Sequence, residues 1–178
     1  QGLWTSMMLA TTYAQFLLLG VNNGLNRELH FALGAGEQSR AERLAGTAQT
    51  VTLIGCALAA LVGVGAVIAL RQHDRAFLTA VVVETIVVMC FFYQAYLGVT
   101  FRSTAAFKAL ATVEFIGVGV GLAALALIVY GGFEGMLWRV ALISIVGIAL
   151  MHRSRPIRVG LVWDTEALWR LLKTGVPI

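Results

Sequence analysis

The segment Thr47–Leu70 reads TAQTVTLIGCALAALVGVGAVIAL and contains no Asp, Glu, Lys, Arg or Pro. A helix that crosses a bilayer needs about 20 mainly apolar residues, and this run is long enough. The rest of the 178-residue chain has a similar composition, with 59% hydrophobic and 12% charged residues. Soluble domains carry about 25% charged residues, and disordered chains are poor in the apolar types that are abundant here. The composition therefore predicts an integral membrane protein.

A window of about 20 residues finds five apolar runs, and none alternates with the period of two that barrel strands require. We therefore predict an all-α, polytopic transmembrane helix bundle. The predicted spans are about Leu3–Leu33, Thr47–Leu70, Ala76–Thr100, Ala109–Tyr130 and Glu134–Met151. The short links Arg71–Arg75 and Gly131–Phe133 predict two antiparallel hairpins.

The basic residues fall unevenly on the two sides that these spans define. Arg71 and Arg75 lie on one side, and Arg139 lies inside the fifth span. The other ten of the 13 are Arg27, Arg40, Arg43, Arg102, Lys108, Arg153, Arg155, Arg158, Arg170 and Lys173. The positive-inside rule makes the ten-residue side cytoplasmic, which predicts a multi-pass protein of the cell inner membrane. Topology thus explains the net charge of +4, and we expect no nucleic-acid partner.

The tail predicts one further helix, over residues 164–175. Asp164 and Thr165 can cap its start, and Leu168, Leu171, Leu172 and Gly175 follow at helical spacing while Arg170 and Lys173 point elsewhere. We expect this helix to lie in the cytoplasmic interface.

Three ionisable residues lie inside the predicted spans and are candidate sites. Glu84 and Arg139 both lie toward the outer side, where an interior ion pair is one interpretation and a transport role is the other. Glu114 shares a helical face with Gly117 and Gly121, a GxxxG pair, so we expect it to point inward. Structural and ion-coupling roles both stay open for these residues.

The first span carries a polar stripe. On a helix at 100° per residue, Thr11, Gln15, Asn22 and Asn26 fall within about 60° of one another, and Asn23 and Arg27 extend the stripe. Such a stripe is either interhelical hydrogen-bonding glue or the wall of an aqueous cavity. In a cavity, amides and an Arg would suit a ligand that carries sugar and phosphate.

Other chemistry is not indicated. The glycine pairs Gly20/Gly24, Gly117/Gly121 and Gly131/Gly135 are typical of close helix packing rather than of phosphate loops. Cys56 and Cys90 have no partner at metal-ligand spacing. We predict no metal site, no cofactor and no enzymatic activity.

The stretch Tyr13–Leu29, YAQFLLLGVNNGLNREL, resembles the second span of polysaccharide and O-antigen flippases of the MOP exporter superfamily. The turn Gly34–Glu37, the following Arg40–Ala45 and the end Leu171–Ile178 are also similar to that family, the last to the start of its seventh span. The middle spans match in length and orientation alone. The resemblance implies a fragment covering about spans two to six, the partial N-terminal lobe of a transporter whose C-terminal lobe is missing.

The resemblance further implies that a lipid-linked oligosaccharide, surrounded by membrane lipids, is flipped across the membrane by alternating access. Arg27 and Arg139 would then bind its phosphates, with Asn22, Asn26 and Gln15 as sugar contacts. Glu84 and Glu114 depart from this pattern, because acidic residues in spans also suit a cation-coupled multidrug exporter of the same superfamily. A membrane scaffold is a third hypothesis, and a glycosyltransferase is disfavoured because the loops supply no metal motif.

Overall fold

The computed structural model describes residues 9, 11–14, 18, 20–72 and 74–175, and these residues form helices and connections without any strand. The all-α class is therefore confirmed for the described part of the chain. The helices that follow Gly20 are α1 Val21–Gly34, α2 Gln38–Ala69, α3 Arg75–Ser103, α4 Phe107–Ala123, α5 Leu125–Arg153 and α6 Thr165–Gly175.

Three helices of the described part, α2, α3 and α5, are long and apolar enough to cross a membrane. The prediction of a membrane protein is confirmed at that level. Helix α4 has 17 residues and continues into α5 after the single turn residue Ala124. The count of five crossings stays a prediction.

The chain reverses inside α5, at Gly132, whose φ of 55° and ψ of −128° are not helical. On either side of this point the two segments pack closely, since a Cβ added at Gly135 would lie 1.8 Å from the Leu127 carbonyl oxygen. L-residues rarely adopt the backbone conformation of Gly132, so a glycine here permits the turn. The position is the one predicted for the second hairpin.

The main apolar core gathers the ends of several helices at one end of the bundle. Leu29 from the end of α1, Leu44 from the start of α2, Phe101 from the end of α3 and Met151 from the end of α5 belong to one buried cluster. The connections 35–37, 104–106 and 154–164, near which most of the basic residues lie, are therefore on the same side of the bundle, as the charge pattern predicts.

The predicted span Leu3–Leu33 is interrupted, because the chain leaves helical geometry at Gly20. Gly20 has φ 75° and ψ 4°, a left-handed conformation, and α1 begins at the next residue. Residues 11–14 are helical before this break. Thr11 and Asn22 therefore do not lie on one continuous helix.

The predicted tail helix is present as α6, capped by Asp164. The Asp164 Oδ1 accepts hydrogen bonds from the backbone N–H groups of Glu166 (3.0 Å) and Ala167 (3.1 Å). The buried residues of α6 are Ala167, Leu171 and Gly175, and they pack on α1. The face of α6 that carries these three residues is thus covered by protein, whereas Trp169 is exposed, and the location of α6 in the cytoplasmic interface stays a prediction.

Candidate functional site

Helix α1 is apolar on one side and polar on the other. Leu25 and Leu29 are fully buried, and α1 packs on α2, α3 and α6. Arg27 is exposed on the opposite side, and Asn26 is exposed on the flank between the two sides. These two predicted site residues therefore lie on an open surface that no described element covers.

Asn22 lies at the edge of this surface and is half-buried. Its Oδ1 is buried and has no hydrogen-bond partner among the described residues. A buried acceptor without a donor costs about 1–3 kcal/mol. A donor from a segment packed against this edge would remove that cost.

A second surface is a groove of about 380 Å³ between α3, α4 and α5. Arg139 and Glu114 both line it, and Gln94 contributes a third polar side chain. The other lining residues are small or aliphatic: Val113, Gly117, Val118, Gly121, Leu122, Ile143 and Gly147. The groove thus combines one guanidinium, one carboxylate and one amide with apolar walls.

Arg139 is held in this groove by the backbone of α4. Its Nε donates a hydrogen bond to the Gly121 carbonyl oxygen at 3.1 Å. Leu137 and Ala141 occupy the face of α5 that packs on Ala80 and Val83 of α3. Because those residues fill that face, Arg139 turns toward α4. Glu114 lines the same groove as Gly117 and Gly121 and is exposed there, and its predicted inward direction stays a prediction.

The ion pair between Glu84 and Arg139, one of the two interpretations of these residues, is not formed. The Glu84 Oε1 instead accepts a hydrogen bond of 2.5 Å from Thr11 Oγ1. The four ion pairs of the described residues involve neither Glu84 nor Arg139. The reason is again the rotation of α5, which aims Arg139 at α4 and away from Glu84.

The predicted ligand residues therefore do not meet in one site. Asn22, Asn26 and Arg27 lie on α1, whereas Arg139 lies on α5, which packs on α3 and α4. Gln15 lies outside the described residues. The structure offers two separate polar surfaces, one on α1 and one in the α3–α4–α5 groove.

Two polar features were missed by the sequence analysis. Gln94 is an amide inside a predicted span, so the signal that singled out Gln15 could also have identified it. The ion pair between Arg40 Nη2 and Glu28 Oε2, at 2.9 Å, joins α1 to α2 across a turn. Nothing in the local sequence pattern predicts that second contact.

No group of three or more His, Cys, Asp or Glu in the described part of the chain is arranged to hold a metal ion. Comparison of the chain with family models, with curated proteins and with solved structures finds no match in any of the three. The resemblance to flippases consequently rests on the sequence stretches Tyr13–Leu29, Gly34–Glu37, Arg40–Ala45 and Leu171–Ile178 alone.

Proposed function

We propose that the chain forms part of the membrane lobe of a transporter that flips a lipid-linked oligosaccharide across the cytoplasmic membrane by alternating access. The observation that carries the proposal is the polar outer face of α1. Asn26 and Arg27 are exposed there, beside helices that are apolar enough to cross a membrane. Turning such groups toward hydrocarbon costs about 3 kcal/mol for an Arg on insertion scales, so the face suits the wall of an aqueous cavity.

The chemistry of this face fits the proposed substrate. A guanidinium binds phosphate oxygens through two parallel N–H donors, and amides both donate to and accept from sugar hydroxyls. In this proposal Arg27 binds the diphosphate, and Asn22 and Asn26 contact the sugars. The lipid tail stays in the membrane. A second lobe, supplied by the same polypeptide, completes the cavity.

The groove of α3, α4 and α5 has a supporting role in this proposal. Arg139 lies there with its Nε bonded to Gly121, on a helix that packs on α3 and α4 rather than on α1. It would therefore meet the substrate at a different stage of the transport cycle from Arg27. Its loss should lower export without removing binding to the α1 face.

The experiment is export of surface polysaccharide in cells whose own copy of the gene is replaced by variants of the polypeptide that contains this chain. Arg27→Ala should abolish export at an unchanged protein level and cause lipid-linked precursor to accumulate. Arg71→Ala is the matched control, since it removes an exposed Arg at the opposite end of the bundle. Normal export from both Arg27→Ala and Arg139→Ala would refute the site assignment.

A cation-coupled multidrug exporter is the second candidate, and it is favoured by the exposed carboxylate of Glu114 in the groove. Glu84, bonded to Thr11, would be the other acidic participant. In that case Glu114→Gln or Glu84→Gln would abolish drug resistance and leave surface polysaccharide unaffected. The two candidates therefore give opposite patterns in the same set of strains.

A further inference from the structure

A basic pocket lies where the start of α2 meets the start of α6, away from both surfaces described so far. It has a volume of about 250 Å³. Its lining residues are three arginines, two acids and two apolar residues: Arg40, Arg43, Arg170, Asp164, Glu166, Leu44 and Ala167. From this arrangement we propose that the pocket binds the phosphate of an anionic phospholipid headgroup.

Two of the arginines, Arg43 and Arg170, form only weak ion pairs with the carboxylates near the pocket. Arg43 Nε lies 3.8 Å from Asp164 Oδ2, beyond hydrogen-bond distance. Arg170 pairs at 3.3 Å with Glu166, whose side chain is 85% exposed. Exposed ion pairs are worth little, so either guanidinium can exchange its carboxylate for a phosphate at small cost.

Arg40 differs from the other two, because its terminal nitrogens are already bound. Nη1 donates to Glu37 at 2.8 Å and Nη2 donates to Glu28 at 2.9 Å. Its Nε, however, is buried and has no acceptor among the described residues. Arg40 therefore contributes a fixed positive charge to the pocket wall, and Arg43 and Arg170 supply the donors that can bind a phosphate.

The surroundings indicate a lipid as the source of that phosphate. Trp163 and Trp169, on either side of the pocket residues Asp164 and Ala167, are 56% and 71% exposed. Exposed tryptophans next to basic residues are typical of the membrane interface, where the ring lies at headgroup level. Basic pockets between helices on the cytoplasmic side bind anionic headgroups. The inference depends on the predicted cytoplasmic side and is independent of what the protein transports.

The probe is brominated phosphatidylglycerol in phosphatidylcholine nanodiscs that contain the full chain. Trp4→Phe and Trp138→Phe leave Trp163 and Trp169 as reporters beside the pocket. The ratio of quenching by brominated phosphatidylglycerol to quenching by brominated phosphatidylcholine, at equal mole fraction, measures local enrichment of the anionic lipid. We expect the chain with only the two Trp→Phe substitutions to enrich phosphatidylglycerol beside the pocket. Adding Arg43→Gln/Arg170→Gln should lower this enrichment about tenfold or more.

Two matched variants distinguish binding in this pocket from a general attraction of anionic lipid to a positively charged protein. Arg71→Gln/Arg75→Gln removes the same charge at the other end of the bundle and should keep the enrichment. Arg43→Lys/Arg170→Lys keeps the charge but loses the planar fork, so enrichment should fall. An equal loss in the Arg71 and Arg75 variant, or full retention in the lysine variant, would overturn the proposal. If the double glutamine variant does not fold, Arg43→Gln alone carries the test.

A further arm distinguishes the headgroup from free phosphate. Inorganic phosphate is added to the nanodiscs and compared with chloride at the same ionic strength. Equal effects of the two salts support a lipid headgroup as the ligand. Selective loss of enrichment in inorganic phosphate would show that the pocket takes the free anion, and would overturn the assignment to a lipid. Because no arm measures export, the result is independent of the proposed transport function.

Discussion

Gly24 of α1 lies directly against the backbone of Leu171 in α6: a Cβ at position 24 would lie 2.0 Å from the Leu171 carbonyl oxygen. The same pair of helices meets again at Gly175, where an added Cβ would lie 2.1 Å from the Gly20 carbonyl oxygen. Small residues allow helix backbones to approach this closely. The Gly20/Gly24 pair, predicted as a packing motif, is therefore where α6 docks on α1.

Gly24→Ala should destabilise the protein, because the clash is with backbone rather than with a flexible side chain. We expect a loss of about 1–3 kcal/mol in the free energy of unfolding, typical of overpacking. The measurement is thermal unfolding of the chain in detergent. Gly65→Ala is the control, since nothing lies within 4 Å of its added Cβ. Equal unfolding temperatures for the two variants would contradict the close packing of α1 and α6.

Glu28 joins three helices, since its carboxylate accepts from Arg40 of α2 and, at 3.2 Å, from Thr174 Oγ1 of α6. Its side chain is 15% exposed, whereas Glu37, which also pairs with Arg40, is 49% exposed. Glu28→Gln should therefore cost about 1.5–3 kcal/mol of unfolding free energy. Glu37→Gln should cost about 0.5 kcal/mol or less, as exposed pairs do.

Chemical denaturation of the two variants in the same detergent gives this comparison. Each substitution removes one carboxylate that pairs with Arg40, so the two variants have the same net charge and differ in the burial of the lost partner. A cost for Glu37→Gln as large as that for Glu28→Gln would mean that burial does not decide the strength of these pairs.

The sequence predicts the helices well, because an apolar run such as Thr47–Leu70 has few alternatives in a membrane. The sequence does not predict the break at Gly20, because the hydropathy of a segment does not show where its backbone leaves the helical conformation. That break accompanies the docking of Gly175, a contact between distant parts of the chain. The extent of each apolar segment is a local property, whereas the kink depends on tertiary packing.

In the candidate site, too, the sequence predicts local features and does not predict tertiary contacts. The intramembrane charges could be identified by residue type alone, but their partners could not. Glu84 bonds to Thr11 and Arg139 to a backbone carbonyl, because Leu137 and Ala141 fix the rotation of α5. Sequence spacing gives the faces of single helices and leaves the angle between neighbouring helices undetermined.

Gly132→Ala should disrupt the hairpin, because the side chain would have to adopt φ 55° and ψ −128°. Strain of this kind costs about 1–3 kcal/mol. Gly131→Ala is a closely matched control, as the residue is adjacent and equally exposed but has no positive φ. Nothing lies within 4 Å of an added Cβ at either position. A lower unfolding temperature for Gly132→Ala than for Gly131→Ala would thus be due to backbone conformation alone. Equal unfolding temperatures would contradict a reversal of the chain at Gly132.

The orientation and the five predicted crossings can be tested together by cysteine labelling in intact cells. Arg71→Cys and Tyr130→Cys should react with a membrane-impermeant maleimide from outside, because both sites are exposed and lie at the sparsely charged end. Arg158→Cys, also exposed, should react after permeabilisation and not before. The native Cys56 and Cys90 are each 7% exposed, which keeps the background low. Protection of Tyr130→Cys until permeabilisation, with Arg71→Cys labelled from outside, would show that the segment before Gly132 does not cross the membrane and would reduce the number of spans.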